Sequence, residues 1–367
     1  MELTHVGAVL LAEERLPGIG PGYFRSDAWQ VRDGAVRMVG REGEDLLLAR
    51  ISADPVRIFD ARERRAAPRI GPRPDARRTS FASPLPDGAL AVLGSGYAAV
   101  VEADGRTRWT YEHEPWADEH TASGACTTDA SGTRLLVTTP GPMPAGAPYA
   151  GDLLVVLALA DGRLLGQTVL PSASAGYGFQ QSLTDPAQIF LDAPQGDTCH
   201  ALLVTLDGDV PRAEHVGYED EPFAGLARDG AFLKLDVGGE WLGRYRPGDP
   251  DVSADAEDVL PEGLRFVGYR PGFLDTDRVL AAVAEHQDGQ DNRHLLLDAH
   301  TLRPTAELAY EGTTCCDPLP LGDGTWLTTH PDDTLRRWRP AISSPAGGPS
   351  HFQPHRRSPA LSSPAGV

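Results

Sequence analysis

The sequence predicts an all-β fold built from short strands and tight turns. The chain has 40 glycines and 32 prolines among 367 residues, and residues of these two types interrupt helices when they recur so often. Runs of about four to eight residues rich in Val, Leu and Thr alternate with Asp-Gly and Ser-Gly pairs, which is typical of strands joined in hairpins. No amphipathic stretch of about twelve residues or more indicates a long helix.

The strand-and-turn pattern repeats along the chain with a period of about 40–50 residues, which is the range of β-propeller blades. The sequence therefore predicts a single β-propeller, with seven four-stranded blades as the first choice and six or eight as alternatives. The seven segments are 24–70, 78–118, 119–171, 177–217, 221–261, 263–311 and 312–340.

The third segment shows the pattern most clearly. Its strands are predicted at Thr133–Thr139, Asp152–Leu159 and Arg163–Leu170, and Asp161-Gly162 joins the last two. Glycine suits this turn because it adopts positive φ without a Cβ clash. The last segment has room for only three strands, and Val6–Leu11 forms a strand outside every segment. We expect the N-terminal strand to complete the last blade and close the ring, which would protect the sheet edges.

Two stretches resemble WD40 repeats: His120 followed by Asp129-Ala-Ser-Gly132, and Asp333-Thr-Leu-Arg-Arg-Trp338. The family pattern ends in Trp-Asp, whereas Arg339 follows Trp338 here. A further stretch, Val100–Tyr111, is similar to quinoprotein-like (PQQ-like) blades. The resemblance implies a divergent propeller scaffold and no particular activity, because one fold hosts many functions.

Charge and the terminal segments suggest where the chain acts. The formal net charge is −19, which disfavours binding to nucleic acid or to anionic membranes. No run approaches the ~18–20 apolar residues of a membrane span. Glu13 and Glu14 follow the first apolar run, and no basic region precedes it, so we expect a cytoplasmic monomer rather than a secreted protein. Residues 1–340 are assigned to the propeller, and 341–367, rich in Pro, Ser, Ala and Gly, to a disordered C-terminal tail.

The residue types that catalyse reactions or bind metals occur here without the spacing those functions need. There is no zinc spacing and no GxSxG turn, and Asp275-Thr-Asp277 lacks the later ligands of a calcium loop. Cys315-Cys316 could form a strained vicinal disulfide, or could be two small residues on a strand. We therefore predict no catalytic residue, no metal and no cofactor, and we favour a protein that is not an enzyme.

Two segments are candidates for partner contacts. The predicted link between the second and third blades carries His113, Trp116 and Asp118, and an exposed Trp is a frequent interface anchor. The stretch from 57 to 78 is locally basic and includes Arg64 and Arg65. Either segment could instead be a solvated linker.

The first functional prediction is a non-enzymatic scaffold that binds another protein, whose identity the sequence does not give. The alternative is a propeller enzyme, or a small-ligand or metal binder, that uses the central channel in a lactonase-like or quinoprotein-like way. A third interpretation makes the chain a regulatory partner of a nucleic-acid enzyme through its basic stretch.

Overall fold

The structure is a computed structural model that describes residues 3–15, 29–32, 35–42, 45–66, 81–116, 124–142, 149–173, 176–181, 188–195, 198–216, 223–227, 229–236, 238–246, 249–286, 292–311, 318–330 and 334–341. The described residues form strands with one short helix, so the prediction of an all-β fold is confirmed. Among them, no helix has the length and apolar character needed to cross a membrane.

The first half of the chain supplies the strands β1 Thr4–Arg15, β2 Trp29–Arg32, β3 Ala35–Glu42, β4 Asp45–Ile51, β5 Phe59–Ala66, β6 Phe81–Pro84, β7 Leu90–Gly94, β8 Tyr97–Val101, β9 Thr107–Glu112, β10 Cys126–Thr128, β11 Arg134–Thr139, β12 Leu153–Ala158 and β13 Leu164–Val169. The second half supplies β14 Gly178–Gln181, β15 Ile189–Gln195, β16 Thr198–Asp207, β17 Val210–His215, β18 Phe223–Leu226, β19 Phe232–Leu235, β20 Trp241–Tyr245, β21 Val252–Asp255, α1 Ala256–Val259, β22 Arg265–Phe273, β23 Arg278–Ala284, β24 Arg293–Asp298, β25 Pro304–Ala309, β26 Leu319–Pro320, β27 Trp326–Thr329 and β28 Thr334–Pro340.

The strands form five four-stranded antiparallel sheets and one eight-stranded sheet. In chain order, the first to fifth sheets are β2–β5, β6–β9, β10–β13, β14–β17 and β18–β21. The eight-stranded sheet contains two groups. The sixth group is β22–β25, and the last group is β26–β28 with β1 as its fourth strand.

The N-terminal strand β1 connects these two groups. Its residues 4–7 pair in parallel with β25, and its residues 8–15 pair antiparallel with β28. The short last segment therefore receives its fourth strand from the opposite end of the chain. This pairing covers two strand edges that would otherwise be open to other chains.

Apolar residues join every sheet to the next. The second, third and fourth sheets share one large core, and smaller clusters link the other consecutive neighbours. A further cluster brings Leu47 and Ile51 of the first sheet against Leu327 and Leu335 of the last group. The inner strands are therefore buried on both faces, and β7 and β8 are buried along their whole lengths.

Tight Asp-Gly turns fit the sheets together at their ends. Gly162 has φ +74°, and a Cβ on it would lie 2.7 Å from the ring of Trp109 in the second sheet. Trp109 in turn donates its indole N–H to the carbonyl oxygen of Leu159 over 2.9 Å. Glycine is needed here both for the positive φ and for the close approach of the neighbouring ring.

A fully buried arginine ties the last group to the first sheet. The side chain of Arg337 on β28 has no exposed surface. Its guanidinium donates to the carbonyl oxygens of Ser52 at 2.6 Å and Arg57 at 3.0 Å, and to the Asp323 carboxylate at 2.6 Å. An arginine suits this position because its planar group offers five donors to acceptors that lie in several directions.

We expect Arg337→Ala to lower the free energy of unfolding by about 3 kcal/mol or more, because it leaves several carbonyl groups and a partly exposed carboxylate without their donor. Urea unfolding followed by circular dichroism measures this change. The control is Arg339→Ala, which removes an exposed arginine from the same strand and should change stability by less than about 0.5 kcal/mol. Equal losses in the two variants would contradict the assigned role of Arg337.

Candidate functional site

Each four-stranded sheet has two unlike ends. The connections between its first and second strands and between its third and fourth strands lie at one end, which we call the turn end. The connection between the second and third strands lies at the other end, together with the link to the next sheet, because antiparallel strands alternate in direction. We call this other end the link end. The buried ionisable groups described next lie at or near the link end.

A buried carboxylate, Asp152, joins the third and fourth sheets at the link end. It precedes β12 and is 2 % exposed. The hydroxyl groups of Tyr149 and Tyr177 both donate to its oxygens, and Tyr177 belongs to the link between the two sheets. Burial, together with the bond to Asp152, raises the pKa of Tyr149 to about 12. Asp152 therefore holds two connections together.

Trp116 lies inside this network, which corrects the expectation of an exposed anchor. Its side chain is 5 % exposed, and its ring centroid lies 6.2 Å from that of Tyr177. Its backbone amide donates to the carbonyl oxygen of Ser95 over 2.9 Å. The indole therefore fills the core between consecutive sheets and is not presented to a partner.

His113 is half-buried in the same link. Its Nδ1 lies 2.7 Å from the carbonyl oxygen of Glu114, and its amide donates to the carbonyl oxygen of Gly96 over 3.1 Å. Burial lowers the pKa of His113 below its ordinary value, so the imidazole favours the neutral form. Asp118 and His120 lie outside the described residues.

A second buried group joins the fourth and fifth sheets. Lys234, the only lysine of the chain, is fully buried on β19. Its ammonium donates to the carbonyl oxygen of Val216 over 2.5 Å and lies 5.2 Å from the ring centroid of Tyr245. On β15, Asp192 accepts the amide N–H of Phe223 over 2.9 Å. Burial raises the pKa of Asp192 to about 7, against the opposing effects of that amide and of Lys234.

The basic stretch lies on the outer strand of the first sheet, away from these groups. Arg65 donates to Glu63 at 2.9 Å and to the carbonyl oxygen of Gly88 at 2.7 Å, so it holds a turn of the second sheet. Arg62 pairs with Glu14 on β1 at 3.4 Å. Arg64 is exposed on the same strand. Residues 67–80 lie outside the described part of the chain.

The structure does not bring the four described contact candidates onto one surface. His113 and Trp116 belong to the link end, and Arg64 and Arg65 belong to an outer strand. The predicted pair Cys315-Cys316 lies outside the described residues. Within the described ranges, no three His, Cys, Asp or Glu side chains come together in a way that could hold a metal ion. Asp275 accepts the amide of Asp277 and thereby caps a turn.

Comparison with known proteins identifies the fold. A scan against protein-family models and a search of curated proteins find no match. The chain is similar to the solved structure of BBS1N in complex with ARL6DN, with a TM-score of 0.52, 11 % identity, and coverage of 93 % of this chain and 99 % of that chain. BBS1N is a β-propeller, so the fold of this chain is that of a β-propeller.

Virginiamycin B lyase from Staphylococcus aureus is also similar, with a TM-score of 0.45, 11 % identity, and coverage of 89 % of this chain and 98 % of that chain.

The raised pKa of Asp192 gives stability a pH dependence. The folded state keeps this proton above its ordinary pKa of 3.8, so the contribution of Asp192 to the free energy of unfolding falls as pH rises from about 4 to about 7, then levels. Asp192→Asn retains an oxygen acceptor and removes the titration. We expect the free energy of unfolding of the variant, relative to that of the wild type, to rise by up to a few kcal/mol between pH 4 and pH 8, at about 1.4 kcal/mol per pKa unit.

Urea titrations of both proteins at several pH values between 4 and 8 measure this gain. A difference between the two proteins that stays constant across the range would contradict the assignment to Asp192.

Proposed function

We propose that the chain is a seven-bladed β-propeller, closed by β1, that acts as a non-enzymatic scaffold for another protein. The pairing of β1 with β28, and the packing of the last group against the first sheet, support a closed ring. The β-propeller BBS1N is seen in complex with another protein, ARL6DN, which gives this use of the fold a precedent.

The observation that carries the proposal is a set of three exposed apolar side chains on the outer strands of the third and fourth sheets. Leu164 and Val169 on β13 are 43 % and 49 % exposed, and Val210 on β17 is 53 % exposed. The two strands are close, because a Cβ on Gly166 would lie 3.3 Å from the Cα of Val210. An exposed apolar side chain is stabilised when a partner removes it from water.

The alternative of a ligand site in the central channel has less support. A reacting or ligand-binding group must be able to reach its ligand, but Asp152 and Lys234 are buried and bonded to groups of the protein itself. Asp192 likewise accepts a backbone amide from the next sheet. These groups stabilise the contacts between sheets, which leaves the outer surface for recognition.

The test is affinity purification of the tagged chain from its own host, followed by mass spectrometry and elemental analysis. We expect a stoichiometric protein partner with the wild type, and at least a tenfold lower yield of it with Leu164→Glu combined with Val210→Glu. The control is Val56→Glu, which alters an apolar residue that is 65 % exposed in the loop between β4 and β5. A clean monomer that carries a metal would overturn the proposal.

A further inference from the structure

The outer strand of each four-stranded sheet has one edge that no described strand covers. These strands are β5, β9, β13, β17 and β21, whereas β1 covers part of β25. An exposed strand edge carries free backbone donors and acceptors and can pair with another chain. Charged side chains, proline, a β-bulge and short length are the usual protections of such an edge.

All of these outer strands except β13 carry a charge, a proline or a length of only four residues, whereas β13 has only a bulge between Leu164 and Gly166 in its pairing with β12. The β5 sequence FDARERRA places charges along an almost fully exposed strand, and β9 carries Arg108 and Glu112. Pro211 and two charged residues lie on β17. β21 has only four residues and continues directly into α1.

The sequence of β13, LLGQTV, contains neither a charged residue nor a proline. Two of its six residues, Leu164 and Val169, are more than two-fifths exposed. One face of the strand is blocked at its centre, since a Cβ on Gly166 would lie 2.3 Å from the carbonyl oxygen of Asp209. An incoming segment would therefore fit beside β13 better than on top of it.

The backbone of β13 presents hydrogen-bonding groups to this edge. The amide of Leu170 donates to the carbonyl oxygen of Asp152 over 2.8 Å, so it points toward the β12 side. Backbone groups alternate along a strand, so Thr168 also points toward β12, whereas Gln167 and Val169 point outward. Among the described residues, no other strand pairs with that edge.

We propose that an extended segment of a partner protein adds to the free edge of β13 as a fifth strand of the third sheet. This inference rests on the proposed scaffold function and specifies how the partner binds. Backbone hydrogen bonds would supply affinity, and alternate apolar side chains would cover Leu164 and Val169. The segment is basic, because a chain with a net charge of −19 attracts cationic partners and repels anionic ones.

The probe is a labelled peptide of eight residues in which valine and lysine alternate, and fluorescence anisotropy measures its binding to the full chain. Gln167→Pro removes one outward amide and keeps the bonds to β12, so we expect about a tenfold loss of affinity. The matched control Gln167→Ala keeps the amide and should bind like the wild type. A peptide with N-methyl groups on alternate amides, and one with glutamate in place of lysine, should each bind at least tenfold more weakly.

Hydrogen exchange on the wild-type chain supplies a readout that needs no variant. The peptide should slow exchange at the amides of Gln167 and Val169 and leave that of Thr168 unchanged. Equal binding by Gln167→Pro and wild type, unchanged exchange at Gln167 and Val169, or equal binding of the glutamate peptide would overturn the inference. A partner that Leu164→Glu with Val210→Glu loses but Gln167→Pro retains would overturn strand addition and leave the scaffold function intact.

Discussion

The contact between the two ends of the chain is the constraint on which the rest of the structure depends. Each sheet buries apolar residues on both faces, so a simple row of sheets would expose one apolar face at each end. Here the last group packs on the first sheet, and Arg337 fixes the loop at Ser52–Arg57 by hydrogen bonds. A buried charge is costly unless its partners surround it, and the carbonyl groups of Ser52 and Arg57 reach Arg337 only when the two ends meet.

Local signals in the sequence predicted much of this architecture. Positive-φ glycines and a two-residue period mark hairpins without reference to distant residues, so the strand predicted at Arg163–Leu170 is observed at Leu164–Val169. The short last segment and the unassigned N-terminal strand predicted the pairing of β1 with β28, because a strand edge needs a partner. These inferences use residues whose conformation depends mainly on their neighbours in sequence.

The candidate site was harder to predict because burial is a property of the assembled sheets. The indole of Trp116 has an apolar ring system and a polar N–H group, so the sequence alone is compatible with either exposure or burial. In the structure Trp116 is buried beside Tyr177 of the next link. In the sequence, Asp152 resembles the other turn carboxylates of the chain, and only the structure shows that two tyrosine hydroxyl groups donate to it. Lys234 gave one available signal, since a lone lysine within the apolar run FLKL predicts a buried cation with a specific partner.

The interior and the outer strands differ in how their polar groups are used. Bonds from Asp152 and Lys234 to backbone and tyrosine groups connect consecutive sheets, and their loss would leave a buried charge unpaired. Such groups specify how the sheets fit, which leaves them little freedom to recognise a ligand.

Among the outer strands, β5 has a protected edge, because charged residues occupy successive positions along it. β13 carries no charged residue. An uncharged edge on an otherwise strongly acidic chain is a liability in isolation, so the simplest physical reason for retaining it is that another chain covers it.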